Sequence, residues 1–332
     1  MKRKKFRAGA ILIPLVVATC NLLIIVFPRD VIQAAREGAS LWFNNVLPAL
    51  LPFAVGVNLM SSLGVTRFLG RALEKPMRKL FKVPGRGGFV LTAGLLSGYP
   101  MGAKMVASLY ENGEITKKDA NKLACFTNNA GPLFILGAVA SGMFNSPVLG
   151  YYLIFAHILS ALATGVAFRF LPSGGEAVPI KTPGRNERNL GAALSKSVTD
   201  GMETLIRVGG FIIVFCVIIR ILEVTNVFSL IEYAAMPFFG SNAELVPGVF
   251  AGLIEITSGL NKLSENGLSK ITLVALSALI SFGGFSVHAQ SVSYFARAGI
   301  NSGLYLLSKI VQSGLSALFA LIMLPFFYES II

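Results

Sequence analysis

Runs of about twenty apolar residues recur along the chain, and this constrains its fold more than any other feature. Examples are Ala8–Phe27, Tyr151–Leu171, Met202–Leu222 and Gly303–Tyr328. A helix of that length crosses the hydrocarbon core of a bilayer, about 30 Å thick. Charged residues make up 14% of the chain and hydrophobic ones 54%, whereas a soluble protein carries about 25% charge. Lipid solvates such an excess of apolar surface, provided that every backbone polar group is satisfied within helices or a closed barrel. The sequence therefore predicts an all-α polytopic membrane protein.

The net charge of +13 follows topology rather than nucleic-acid binding. Met1–Arg7 is basic and precedes the first span, placing the N-terminus in the cytoplasm. Pro28–Gly38 is charge-balanced and reads as an outer loop before a second span from about Ser40 to Leu63, with Trp42 and Phe43 as interfacial anchors. The next loop, rich in lysine and arginine from Arg67 to Arg86, returns to the cytoplasm as two crossings require. Glu223–Glu244 has three acids and no lysine or arginine, which fits an outer loop. The partition is an anchor over 1–38, a first repeat over 39–171, a cytoplasmic linker over 172–200 and a second repeat over 201–332, with about seven full spans.

Two apolar segments are too interrupted to span. Gly87–Tyr110 breaks at Ser97-Gly-Tyr-Pro-Met-Gly102, and Val246–Ser264 at Glu255-Ile-Thr-Ser-Gly259. Glycine and proline loosen or break the helix there. Each arm is then about half a bilayer long, so a re-entrant hairpin is expected. Two further segments break internally, Leu123–Met143 at Asn128–Pro132 and Leu268–Ala298 at Gly283–His288. The pairs echo each other: Lys104 lies ten residues after Gly94 and Lys262 ten after Gly252, and Glu-Asn-Gly follows each hairpin, at 111–113 and 265–267. Three crossings separate the hairpins, so they enter from opposite faces. That is the pattern of an inverted-repeat transporter, with its site near the midplane.

Candidate substrate contacts cluster at the breaks: Ser97, Tyr99, Lys104, Asn128, Asn129, Glu255, Ser286, His288 and Gln290. A lysine within an apolar segment faces protein or water; Lys104 either meets an anionic substrate or reaches a carbonyl or the surface. The asparagines offer amides to a ligand or cap broken helix ends. His288 binds a carboxylate, relays a proton or is structural, and Glu255 couples to cations or pairs with Lys262. His157 reads as structural. No phosphate-binding loop, H-E-x-x-H pair or serine-hydrolase motif is present, so an enzyme is disfavoured. Cys20, Cys125 and Cys216 show no metal-ligand spacing, and neither a metal nor a cofactor is expected. A membrane scaffold, which needs no polar residues at the breaks, is the competing class.

Three motifs, Gly94-Leu-Leu-Ser-Gly-Tyr-Pro-Met-Gly-Ala-Lys104, Phe126-Thr-Asn-Asn-Ala-Gly-Pro-Leu-Phe134 and Phe282-Gly-Gly-Phe-Ser-Val-His-Ala-Gln290, resemble the YlbJ/SpoVV family of sporulation membrane proteins, with paired nucleoside recognition (Gate) domains. The resemblance implies a transporter that moves dipicolinic acid across the outer forespore membrane. Lys104, helix N-termini and amide donors would then meet the two carboxylates, and Tyr99 or Phe285 the aromatic ring. Nucleosides are the alternative ligands suggested by the domain's name.

Overall fold

The computed structural model describes residues 9–172, 174 and 190–331; the basic Met1–Arg7 and most of the expected linker lie outside the described residues. Every regular element among them is helical. Five helical stretches are long and apolar enough to cross a membrane: Pro28–Ser62, Pro147–Phe170, Leu190–Val224, Lys270–Ala298 and Ser302–Ile331. The chain is an all-α, polytopic integral membrane protein. The first broken segment is not a continuous span, since its helices Lys117–Ala124 and Leu133–Met143 are separated by the break.

Three segments read as loop or linker are helical. Pro28–Leu41 is a helix running on towards Leu47–Ser62. Pro28 occupies its first turn, where a missing N–H costs nothing. The small residues Ala34 and Gly38 are buried on it, and a Cβ at Gly38 would lie only 3.1 Å from Ile213 Cα on the long helix Leu190–Val224. Charge balance alone did not distinguish this amphipathic helix from a loop. Val227–Phe239 is likewise helical within the supposed outer loop, and Leu190–Val224 starts ten residues before the expected linker ends. Trp42 also departs from expectation. It lies within the continuous helical stretch, donates from Nε1 to Leu205 O at 2.8 Å and packs against Gly209, so it anchors to protein rather than to headgroups.

The two hairpins form as expected, Arg86–Ser97 against Met101–Glu111 and Val246–Ile254 against Ile256–Glu265. Each closes at a pair of glycines. A Cβ on Gly94 would sit 3.3 Å from Gly102 Cα, and one on Gly259 would overlap Gly252. Bare backbones thus meet where side chains would separate the arms. Leu133–Met143, after the first break, is wound as a π-helix, and the second broken segment turns at Gly283, whose φ is +92°.

Two apolar cores hold these parts. In one, the first hairpin packs with Tyr294, Phe295 and Tyr305 from the second half of the chain. In the other, the second hairpin packs with Ile135, Val139 and the Pro147–Ala167 helix from the first half. Each core therefore mixes both halves, which fixes the breaks against one another.

Candidate functional site

The residues between the split helices cannot complete helical hydrogen bonds, so side chains must satisfy their backbone. His157, on Pro147–Ala167, accepts from Ala130 N at 3.1 Å through Nε2. Its proton is therefore on Nδ1, which faces Ser281 Oγ at 2.8 Å. One neutral imidazole thus ties the first break to the end of the helix before the second. Asn128 ties the same region to three other elements: Oδ1 accepts from Ala103 N at 3.2 Å, while Nδ2 donates to Ser291 Oγ at 2.8 Å and Tyr305 OH at 2.9 Å. Asn129 Oδ1 accepts from Gln312 Nε2 at 2.9 Å.

Behind these lies Lys309, fully buried on Ser302–Ile331. It donates to Asn128 O and to Gln312 Oε1, and its Nζ stands 5.4 Å from the Tyr99 ring centroid, within cation–π range. No carboxylate pairs with it among the described ion pairs. Lys309 lies outside every hairpin and break motif in the sequence. The rule that singled out Lys104, a charge inside an apolar span, applies to it with more force.

In front of the breaks is a cavity of about 730 Å³. Both hairpin tips reach it, through Gly98 and Tyr99 and through Glu255 and Thr257. So do both breaks, through Ala130 and Gly131 and through Ser286 and Gln290. Three helix N-termini line it: Leu133 and Phe134, Ile256 and Thr257, Ser286 and Val287. Each such end directs the positive pole of its helix dipole at the cavity, although Glu255 already caps the Ile256–Glu265 end and Phe134 N is bonded to Gly131 O at 3.1 Å. Asn44, Asn45 and Asn261 add amides that the sequence analysis did not single out.

Of the nine expected contacts, Tyr99, Glu255, Ser286 and Gln290 line this cavity. Tyr99 OH donates towards the carbonyls of Ile280 and Ser281, at 3.3 and 3.4 Å, so one hairpin tip is pinned to the second half of the chain. Glu255 Oε2 accepts from Ser258 N at 2.8 Å and Ser258 Oγ at 2.9 Å, capping the second arm of its hairpin. It is not the partner of Lys262, which pairs with Glu223 at 2.7 Å. Asn128 and Asn129 are one layer behind the cavity, consumed by the break. Lys104 turns away to Asp200 O at 3.1 Å and Thr204 Oγ1 at 2.8 Å. Ser97 is buried with its hydroxyl unpartnered. His288 is also buried, among Phe282, Phe285 and Tyr305, with Nε2 unpartnered. No cluster of metal-ligating side chains occurs among the described residues.

Comparison with known proteins agrees with this architecture. The family model described as nucleoside recognition (Gate) matches residues 43–173. The sporulation integral membrane protein YlbJ of Bacillus subtilis (strain 168) is 36% identical over 322 residues, covering 90% of this chain and 79% of YlbJ. Among solved structures, CNTnw in an inward-facing substrate-bound state superposes with a TM-score of 0.54 at 16% identity, over 94% of this chain and 85% of CNTnw. A CNTnw variant in an outward-facing state gives 0.53 at 16% identity, over 95% and 86%. A variant in an intermediate state gives 0.57 at 16%, over 94% and 86%. At such identities the likeness to CNTnw is one of fold.

Proposed function

We propose, from the premise that this chain belongs to the YlbJ family of sporulation integral membrane proteins, that it carries dipicolinate across the outer forespore membrane by alternating access. The cavity between hairpin tips and breaks is the binding site. The observation that carries this reading is the convergence of three helix N-termini, one of them capped by Glu255, on one largely apolar-walled space. Oriented N–H groups attract carboxylates without a mobile cation, and an aromatic dianion also needs a flat apolar surface, which Tyr99 supplies. That CNTnw has been solved facing inward and outward supports a fold able to expose such a cavity alternately. We assign residues 39–171 and 201–332 as the two repeats of opposite orientation, with a cytoplasmic N-terminus.

A second reading has an observation of its own. No lysine or arginine lines the cavity, which presents Glu255, four amide side chains and several hydroxyls. Such a lining also suits a neutral, hydroxyl-rich ring compound such as a nucleoside. Purified protein in liposomes, offered radiolabelled dipicolinate or uridine, separates the two. Saturable dipicolinate uptake, with restored dipicolinate in spores of a complemented deletion strain, supports the first reading. Uptake of uridine alone replaces it with the second. Uptake of neither, from protein that is folded and correctly inserted, favours a scaffold.

A further inference from the structure

The long helix Leu190–Val224 packs against elements from both halves of the chain, and a lysine from each hairpin reaches it. From the first hairpin, Lys104 donates to Asp200 O and Thr204 Oγ1. From the second, Lys262 pairs with Glu223, 2.7 Å away. Glu223 is held in turn by Arg220 at 3.5 Å, and Arg220 by Glu37 at 3.0 Å, so the second contact also joins the Pro28–Leu41 helix. The two lysines occupy matching places, each ten residues after the glycine of the first arm, Gly94 or Gly252. Thr204 and Glu223 are nineteen residues apart in one continuous helix. At 1.5 Å per residue that is about 30 Å, the thickness of the hydrocarbon core. One repeat-related pair of lysines therefore grips the same helix at two levels a membrane apart.

We propose that Lys104 and Lys262 are paired latches, holding their hairpins against the long helix near its middle and at its C-terminal end respectively, and that transport releases them alternately. This inference rests on the alternating-access reading of the chain but not on any choice of substrate. The two latches differ chemically. Lys104 takes neutral acceptors, whereas Lys262 takes a carboxylate beside a second cavity of about 410 Å³. That cavity shares Leu41, Met143, Thr257 and Asn261 with the central one, so release of Lys262 would widen an existing path. The Lys104 latch guards the opposite side. With both contacts made, the hairpins are held at two levels of the helix at once.

The test uses accessibility, which requires no transported ligand. Val208→Cys, on the central cavity, is introduced after Cys20, Cys125 and Cys216 are replaced by serine. A membrane-impermeant thiol reagent is then applied to one face of sealed vesicles at a time. Lys262→Ala and Glu223→Ala should each speed labelling about five-fold from the face where Glu223 lies, as expected for loss of a partly exposed ion pair. The double variant should match either single one, because all three lose the same contact. Lys104→Ala and Thr204→Val should speed labelling from the opposite face only. Thr204→Val and Glu223→Ala leave the hairpins' own sequences intact, so they serve where a lysine variant folds poorly. Faster labelling from the same face in both sets overturns the proposal, as does unchanged labelling in correctly folded protein. Dipicolinate uptake, measured separately, reports on substrate. Shifted labelling with no uptake would leave the latches standing and remove the substrate assignment.

Discussion

Asn128 carries more of the structure's polar connectivity than its place in a loop suggests, and the cost of losing it can be worked out contact by contact. Asn128→Ala removes the acceptor for Ala103 N. That N–H lies in the first turn of Met101–Glu111, where no preceding carbonyl replaces the lost acceptor. Leaving a buried donor unpaired costs about 1–3 kcal/mol. The two hydroxyls that accept from Nδ2 fare better. Ser291 Oγ keeps its bond to Val287 O, and Tyr305 OH keeps its contact with His288 Nδ1. Each lost side-chain bond of this kind costs about 0.6 kcal/mol on the scale measured between membrane helices. The sum is about 2–4 kcal/mol. Ser291→Ala, by contrast, removes one of these bonds and leaves Asn128 Nδ2 with Tyr305, so about 0.5–1 kcal/mol is expected. Reversible unfolding in mixed micelles measures both, and the double variant gives the coupling, expected near 0.6 kcal/mol. A loss from Ser291→Ala equal to that from Asn128→Ala would refute the argument, since it would mean that the Ala103 N–H is not what makes Asn128 matter.

Other perturbations discriminate among the site's parts. Glu255→Gln removes the cavity's carboxylate while an amide oxygen can still cap Ser258; dipicolinate affinity should rise several-fold and nucleoside affinity should not, read by equilibrium binding to purified protein. Lys309→Met orphans Asn128 O and Gln312 Oε1; with relief from burying the ammonium, the net loss should be about 1–3 kcal/mol, seen as a lower unfolding midpoint. Gly102→Ala would press a methyl group into Thr127 O and Asn128 Cα, whereas the same change at Gly314 meets nothing within 4 Å; the first should abolish monodisperse protein on size-exclusion chromatography and the second should stabilise by up to about 1 kcal/mol.

The fold was legible where the sequence breaks its own pattern. The Ser97–Gly102 and Glu255–Gly259 interruptions predicted hairpins because proline and glycine act locally, and the structure forms both there. Charge patterning failed where its physics is ambiguous: Pro28–Gly38 is amphipathic, and only the close approach of Gly38 to Ile213 shows that it packs as a helix. Tyr99, Glu255, Ser286 and Gln290 could be placed together because they sit at the breaks themselves. The two readings of Lys104, an anionic substrate or a carbonyl, stayed open because sequence gives depth in a span but not direction around a helix. Its direction is set by Asp200 and Thr204, nearly a hundred residues away.

The contrast between Lys104 and Lys309 shows what the proposed anion binding would rest on in a cavity whose described lining has no lysine or arginine. An ammonium exposed in the cavity would bind a dicarboxylate strongly, and each turnover would then have to break that ion pair in a low-dielectric site. Here one lysine instead joins a hairpin to the long helix, and the other lies behind Tyr99, bonded to the carbonyl of the first break. Lys309 therefore does not line the cavity; it holds the carbonyl of the first break in place. On that proposal the attraction would come from the helix N-termini, fixed dipoles that need no rearrangement when the ligand leaves. Binding that is favourable yet readily reversed is what a carrier needs on both faces of a membrane. The cavity meets that need by placing its full charges on parts of the fold that hold the hairpins and the break together.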